Sequence, residues 1–393
     1  LKILFVCTCL EPGLDGVGDY TTRLAGELGS QGHQCHLLAL ADSHVEKAKA
    51  DSVALKSSDE SIGTISTLRL PAEASWEDRI IQAKAFCDGI APDWISWQFV
   101  LYGFDSRGLG RGLGRRLSEI SRGYKNEIMF HETWIGTAQQ APLKNKIIGQ
   151  VQKMAIQGIV RKMGPLVIHT HTPLYQHLLG KLGFKAIKLP LFGNIPITEH
   201  PQPDWLRQKW IEAGKEWSRE DRNSWWIFLM FGSLHPEWNA DDFLQRASVA
   251  AQKAGKKCAL LSIGRQGVLG EHKWQQFVDN HEGQSWSFLN LGRQPEEDVS
   301  QCLLVADFGV SSAPPEYLFK SGTAVAMIEH GLPVIATRPS YNYTNCPSEI
   351  LATRMQNVVT DFDLEAQGKT KIGSLLPQVA SQFIGDLERA QSA

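Results

Sequence analysis

The chain reads as an α/β protein of two Rossmann-like, doubly wound domains facing each other across a cleft. Three observations predict this. Its 393 residues exceed what one ordinary core covers. Apolar strand-like runs alternate with helix-like segments in both halves, the pattern of a parallel sheet covered on both faces. Two strand-to-helix junctions, far apart in sequence, also have the composition of an anion-holding turn. A helix N-terminus leaves its first amides unpaired and carries partial positive charge, so it attracts phosphate.

The elements follow in order. Strand one is Lys2 to Cys7, and the helix after Gly18 puts Leu24, Ala25 and Leu28 on one face before Gly29 and Gly32 close it. Gln34 to Ala41 is the next strand, and further strands are expected at 65–70, 94–99, 127–131, 166–170 and 186–190. Helices are expected at 75–90, 110–123, 142–163 and 172–181. Pro190 to Ser224 is rich in Pro, Trp and charge and holds no clean strand, so the linker is placed near Gly193-Asn194-Ile195-Pro196. Alternation restarts at Trp225–Phe231, continues through Ala259–Ile263 and Phe308–Val310, and reaches Val334–Thr337. Leu375, Val379, Phe383 and Leu387 give the last segment helical apolar spacing. The expected division is 1–195, 196–372 and a final helix at 373–393.

Composition narrows the class. Hydrophobic content of 42% and charged content of 21% are ordinary for a globular protein, and a net charge of −2 gives no nucleic-acid footprint. The seven cysteines match no zinc spacing and read as reduced, buried thiols of a cytoplasmic chain. The opening apolar stretch is too short for a signal peptide, and no run approaches the ~20 apolar residues of a membrane span. Basic segments at Arg107–Arg122 and Lys144–Lys162 interleave with apolar residues and allow weak peripheral contact with an anionic inner membrane surface.

The two junctions carry the candidate chemistry. Gly16-Val17-Gly18 lets backbone approach a ligand, with Asp19 or Gly18 as the cap, though it lacks the third glycine of a dinucleotide fingerprint. In Lys320-Ser321-Gly322-Thr323, Ser321 caps, Gly322 keeps the first turn bare and Lys320 adds a formal charge. Gly232 and Ser233, Arg265, and Arg293 follow three strands of the back half, on the rim where α/β sheets bind ligands. His131 ends a front-half strand. His169 and His171 share one strand face at i,i+2, yet no third metal ligand is evident. Asp241-Asp242 and Asp361-Phe362-Asp363 read as a helix start and a polar loop, not a metal site.

The assembled segments GVGDYTTRLAGELGSQGH, FGSLHPEW, LGRQPEEDVSQCLLVADFGVSS and KSGTAVAMIEHGLPVIAT resemble the GT-B glycosyltransferases, within them the retaining family 4. The resemblance covers nearly the whole chain. It implies a final helix that crosses back to the first domain. It also implies a glycine-rich loop at Gly16 and Gly18 near donor phosphate and acceptor, and a cleft histidine at His131 beside the reacting sugar. Gly232 and Ser233 become phosphate-facing, Arg293 base-flanking, and Asp19, Tyr20 and Gln98 acceptor-side. The family's paired glutamates fall on Leu318 and Ala326, which leaves Glu316 and Glu329 as the nearest acids. The usual Arg and Lys after the back-half glycine are replaced by Leu234-His235-Pro236-Glu237, so neutralisation passes to Lys320 or Arg265.

The implied activity is metal-independent transfer of a sugar, with retention, from a nucleotide-diphosphate sugar to a glycan, lipid-linked or small-molecule acceptor. No cofactor beyond that co-substrate is expected, and Lys320 and His131 are the catalytic candidates. The alternatives are a catalytically degenerate protein that binds nucleotide sugar or serves as a scaffold, and a sugar-nucleotide epimerase of the same fold.

Overall fold

The computed structural model describes every residue except 58–59, 216–218, 236–237, 282, 284–285, 348–349, 351–357, 360–363, 366, 371–372 and 393. Asp361-Phe362-Asp363 and Pro236-Glu237 therefore lie outside the described residues. Two compact units result, Leu1–Pro190 with Tyr341–Ile350 and Leu376–Ala393, and Leu191–Ser340 with Leu351–Leu375. The division falls just before the Gly193–Pro196 stretch. It also returns the C-terminal helix (Leu376–Ser392) to the first unit.

The first unit opens with β1 (Lys2–Cys7), α1 (Gly16–Ser30), β2 (Gln34–Asp42), β3 (Lys49–Ser57) and β4 (Glu60–Pro71). Next come α2 (Trp76–Ile90), β5 (Trp94–Phe99), α3 (Leu101–Phe104), α4 (Leu113–Ile120) and β6 (Lys125–Phe130). It continues with α5 (Leu143–Met163), β7 (Val167–Thr170), α6 (Pro173–Gly180) and β8 (Ile187–Lys188). The strands form one sheet in the order β3-β4-β2-β1-β5-β6-β7-β8. Every pairing is parallel except β3 with β4, which is an antiparallel hairpin.

That hairpin corrects the expectation of a wholly parallel sheet. Lys49–Ser57 pairs only with β4, and Asp51, Ser52 and Val53 are exposed. Residues 49–53 of this edge strand are all exposed, so they carry no apolar alternation to betray it, and their charges suit an edge.

The two faces of this sheet differ. Leu4, Val6, Ile95, Trp97, Ile128 and Phe130 point into a large apolar cluster with α2, α4 and α5. The alternate residues carry Ser96, Gln98, Glu127 and His169, all buried. Parallel register aligns Phe5 with Ser96, Ser96 with Glu127, and Met129 with His169, so these side chains share one face. The C-terminal helix packs on that face, with Phe383 stacked on Phe5 at 5.7 Å. Its expected apolar spacing is realised: Val379, Phe383 and Leu387 are buried.

The second unit contains α7 (Trp205–Glu212), β9 (Trp225–Phe231), α8 (Ala240–Lys253), β10 (Lys257–Ile263) and α9 (Gly267–His281). These are followed by β11 (Trp286–Gly292), α10 (Glu296–Val305), β12 (Phe308–Ser311), α11 (Gly322–Glu329), β13 (Val334–Ala336) and β14 (Val358–Val359). Its sheet is parallel throughout, in the order β11-β10-β9-β12-β13-β14. β9 is apolar along its length because both faces are covered. Ile227 and Leu229 enter one cluster, while Trp226, Phe228 and Met230 enter the other.

Counting parallel strands alone, the second sheet runs 3-2-1-4-5-6, the doubly wound dinucleotide-type order, and the first runs the same order with a seventh strand, β8, added at its edge. The winding reverses between β1 and β5 in the first unit and between β9 and β12 in the second. Ligands of such sheets sit at the carboxyl ends of the strands flanking that reversal. Among the described residues no helix is long and apolar enough to cross a membrane.

Candidate functional site

In the second unit the reversal point gathers much of the predicted rim. Gly232, Gly264 and Gly292 end β9, β10 and β11 with φ of +87°, +96° and +61°. These left-handed turns suit glycine, and they stitch neighbouring strand ends together. Gly232 N–H donates to the Ile263 carbonyl at 2.9 Å, and Gly264 N–H donates to the Gly292 carbonyl at 2.7 Å. Ser233, Arg265 and Arg293 follow these glycines and are exposed.

The start of α11 lies against this rim. A Cβ on Gly232 would stand 3.3 Å from Thr323 Cγ2, and the His235 amide donates to Ser312 Oγ, just past β12, at 3.1 Å. Ser321 is the N-cap of α11 and accepts from the Ala324 amide, and its hydroxyl lies 3.0 Å from Thr323 Oγ1. Lys320 ends a 3-10 turn (Pro315–Lys320), its Nζ 5.4 Å from the Tyr317 ring centre. The structure thus brings Gly232, Ser321 and Thr323 together, with Ser233, Lys320 and Gly322 adjacent in the chain.

The two acids play other parts. Glu329 sits at the far end of α11, 1% exposed, and accepts the Leu375 amide at 2.9 Å. A Cβ on Gly193 would meet its Oε2 at 2.6 Å and the Ala326 Cα at 2.7 Å. Its assignment as a donor ligand is corrected. Oε1 holds the Leu375 segment against α11, and Gly193 packs close beside Oε2. Glu316 is buried inside the 3-10 turn that leads to Ser321.

In the first unit the glycine loop is not an open anion site. Asp15 caps α1, and its carboxylate accepts the Val17 and Gly18 amides at 2.9 and 2.7 Å. A phosphate there would meet a negative charge and amides already in use, which corrects the phosphate-binding reading of Gly16 and Gly18. Gly18 is needed for packing, since a Cβ would stand 2.4 Å from the Cys9 carbonyl oxygen. Asp19 does not cap either. It reaches back to accept the Gly13 amide at 2.9 Å, and burial raises its pKa.

His131, Gln98 and Tyr20 do converge. His131 Nε2 is 2.9 Å from Gln98 Oε1, its Nδ1 is 2.9 Å from His171 Nε2, and the Tyr20 ring meets both imidazoles edge-on at 4.9 and 5.4 Å. Burial and the neighbouring His171 hold the His131 pKa well below its ordinary value, so its ring is neutral at pH 7. Both nitrogens are engaged within the unit. His131 is therefore a held ring, not an open acid or base.

Sequence reading missed Asp15, Ser96, Glu127 and Asp386. A signal existed in WISWQF, where Ser96 and Gln98 alternate with apolar residues, and in KNEIMF and VIHT, which set Glu127 and His169 directly beside the apolar core residues of their strands. Such residues must find one another inside. Among the described residues, His169 and His171 join no group of metal-ligating side chains.

No family model matches this sequence, and no curated protein matches it. Solved structures do. The catalytic domain of starch synthase IV from Arabidopsis thaliana, solved with ADP and acarbose, superposes with a TM-score of 0.58 at 13% identity over 100% of both chains. Anabaena HepE, solved with UDP and glucose, gives 0.55 at 13% identity, covering 100% of this chain and 97% of that one. A glycosyltransferase from Rickettsia africae gives 0.55 at 12%, covering 99% and 97%. The fold is that of the GT-B glycosyltransferases. At these identities the likeness is one of fold, and it extends across both units.

Proposed function

We propose that the chain is a metal-independent retaining glycosyltransferase that uses a nucleotide-diphosphate sugar. The observation that carries this is the placement of α11's capped N-terminus against Gly232 at the reversal point of the second sheet. Amides there, the Ser321 and Thr323 hydroxyls and the Lys320 ammonium are suited to a leaving diphosphate. Preorganised donors of this kind contribute a few kcal/mol each to transition-state stabilisation. HepE and starch synthase IV were solved with UDP and ADP, which supports a nucleotide-sugar donor of that class here.

The anomeric C–O bond breaks with its electron pair going to the diphosphate, whose growing negative charge these donors stabilise; the acceptor oxygen forms the new bond to the anomeric carbon and its proton passes to the diphosphate, so no side-chain nucleophile is required. Arg265 and Arg293 are assigned to the donor's outer phosphate and base. His131, with both nitrogens engaged, is assigned to shaping the sugar side by packing, and Tyr20 and Gln98, buried against it, together with Asp19 to shaping the acceptor side rather than to direct hydrogen bonds with the acceptor. A thermal-shift screen of UDP-, GDP-, ADP- and CMP-sugars tests the reading. The true donor at a hundred times its Kd adds about 2.7 kcal/mol, and NMR of the product then gives the anomeric configuration. Absence of any donor-dependent shift would sink it. Binding without turnover would instead favour a degenerate binder, a reading that Glu329's structural commitment keeps in view.

The acceptor is assigned to the lipid-linked class on one surface feature. On α5, Leu143, Ile147 and Met154 are 73%, 60% and 62% exposed, and spacings of four and seven put them on one face. Lys144 and Lys146 flank them, the composition of a helix that lies on an anionic bilayer. The protein, cytoplasmic on this reading, is expected to sediment with phosphatidylglycerol vesicles at low salt and not with phosphatidylcholine. Leu143→Asp with Ile147→Asp should abolish sedimentation.

A further inference from the structure

Seven consecutive hydrogen-bond contacts run through the polar face of the first sheet. The Leu189 carbonyl lies 3.1 Å from His171 Nδ1, and His171 Nε2 lies 2.9 Å from His131 Nδ1. His131 Nε2 meets Gln98 Oε1 at 2.9 Å, and Gln98 Nε2 donates to Ser96 Oγ at 2.7 Å. Ser96 donates to Glu127 Oε2 at 2.6 Å. Glu127 Oε1 meets His169 Nδ1 at 2.9 Å, and His169 Nε2 meets Asp386 Oδ2 on the C-terminal helix at 3.2 Å. Every side chain in this chain is at most 8% exposed.

The two ends fix the proton count. A carbonyl begins the chain and a carboxylate ends it, and both only accept. Each contact needs one proton, so His171 must donate from Nδ1 to Leu189. Gln98 presents its oxygen to His131, so His131 must donate from Nε2 and its Nδ1 is bare. His171 Nε2 must then donate as well, and His171 carries protons on both nitrogens. By the same count His169 donates to Glu127 and to Asp386. Turning the Gln98 amide over moves the need elsewhere without removing it. Ser96 would then donate to Gln98, and its 2.6 Å contact with Glu127 would require a protonated carboxyl.

We propose that this chain is an ordered proton ladder. Two imidazoliums, His169 and His171, stand against Glu127 and Asp386, and the ladder holds the neutral His131 ring in one tautomer. Glu127, His169, His171 and Asp386 are positioning residues for His131. The charged and titratable groups facing the ladder are consistent with this. Tyr20 from α1 packs on His131 and His171, and Arg389 and Gln382 on the C-terminal helix bond Asp386. Burial would push His169 down, but its bonds to Asp386 and Glu127 outweigh that and hold it up at about 9. The proton count stands independently of the transferase reading. The role given to His131 rests on it.

The test is 15N-histidine NMR of the full chain, with His171 assigned through His171→Gln. An imidazolium gives nearly coincident ring-nitrogen shifts, and a neutral ring gives widely split ones. At pH 7 His171 should show the imidazolium pattern and His131 a single Nε2–H tautomer. Glu127→Gln removes a negative charge from the ladder, so the His171 transition should move to lower pH; Asp386→Asn should do the same to His169 and leave His171 less affected. A neutral His171 in the wild-type protein at pH 7 overturns the ladder, whether or not the variants fold. The pH–rate profile for the donor found in the screen should lose its high-pH limb to lower pH in Glu127→Gln. An unchanged profile beside a shifted His171 overturns the positioning role.

Discussion

Replacing His169 with alanine should destabilise the protein by about 3–5 kcal/mol, the usual cost of removing one partner from a buried ion pair. Glu127 and Asp386, at 0% and 4% exposure, would be left facing each other without their shared cation. Urea unfolding measures this directly, and a loss below about 1 kcal/mol would show that water or rearrangement replaces the ring. The pH dependence has a definite sign. A histidine whose folded pKa rises from 6.5 to about 9 contributes stability that is fully present below 6.5 and fades as pH rises through 9. Asp386 works in the opposite direction. Burial would raise its pKa, but bonds to His169 and Arg389 hold it down, so its share is lost only as pH falls through that depressed value. In His169→Ala the alkaline slope should vanish.

Lys320→Ala should lower kcat/KM for the nucleotide sugar more than tenfold, at least ~1.4 kcal/mol of transition-state stabilisation. The ammonium is the formal positive charge adjacent to the capped end of α11 in sequence, and hydroxyls and amides alone do not neutralise a developing diphosphate. Lys320→Arg, which keeps the charge, should recover most of the loss. Near-normal kinetics in the alanine variant would place charge neutralisation elsewhere and count against the assignment of this turn.

Much of the architecture was legible because it is written in periodicity. β1 and β5 match their sequence expectations residue for residue, and α5 differs from its expected range by one residue, since burial on both faces leaves long apolar runs between glycine stops. β3 was not legible, because an exposed edge strand is under no such constraint. The second-unit rim was readable from Gly232 and from Ser321-Gly322-Thr323, whose residue types are dictated by backbone conformation and capping. Gly16-Val17-Gly18 misled for a local reason. Asp15, one residue before the motif, supplies the anion that the motif was read as awaiting. Glu329 misled because sequence gives distance along a helix but not which chain crosses its end.

Asp386 lies 217 residues after His169, yet it closes a bond network whose other members are all in place by residue 189. During synthesis the first sheet therefore emerges with His169 facing only Glu127. Its missing carboxylate arrives after the entire second unit has been translated. Nascent first-domain chains are consequently provisional. Completion of the amino-terminal fold is a late event, and premature termination anywhere in the second half leaves the first half unfinished too.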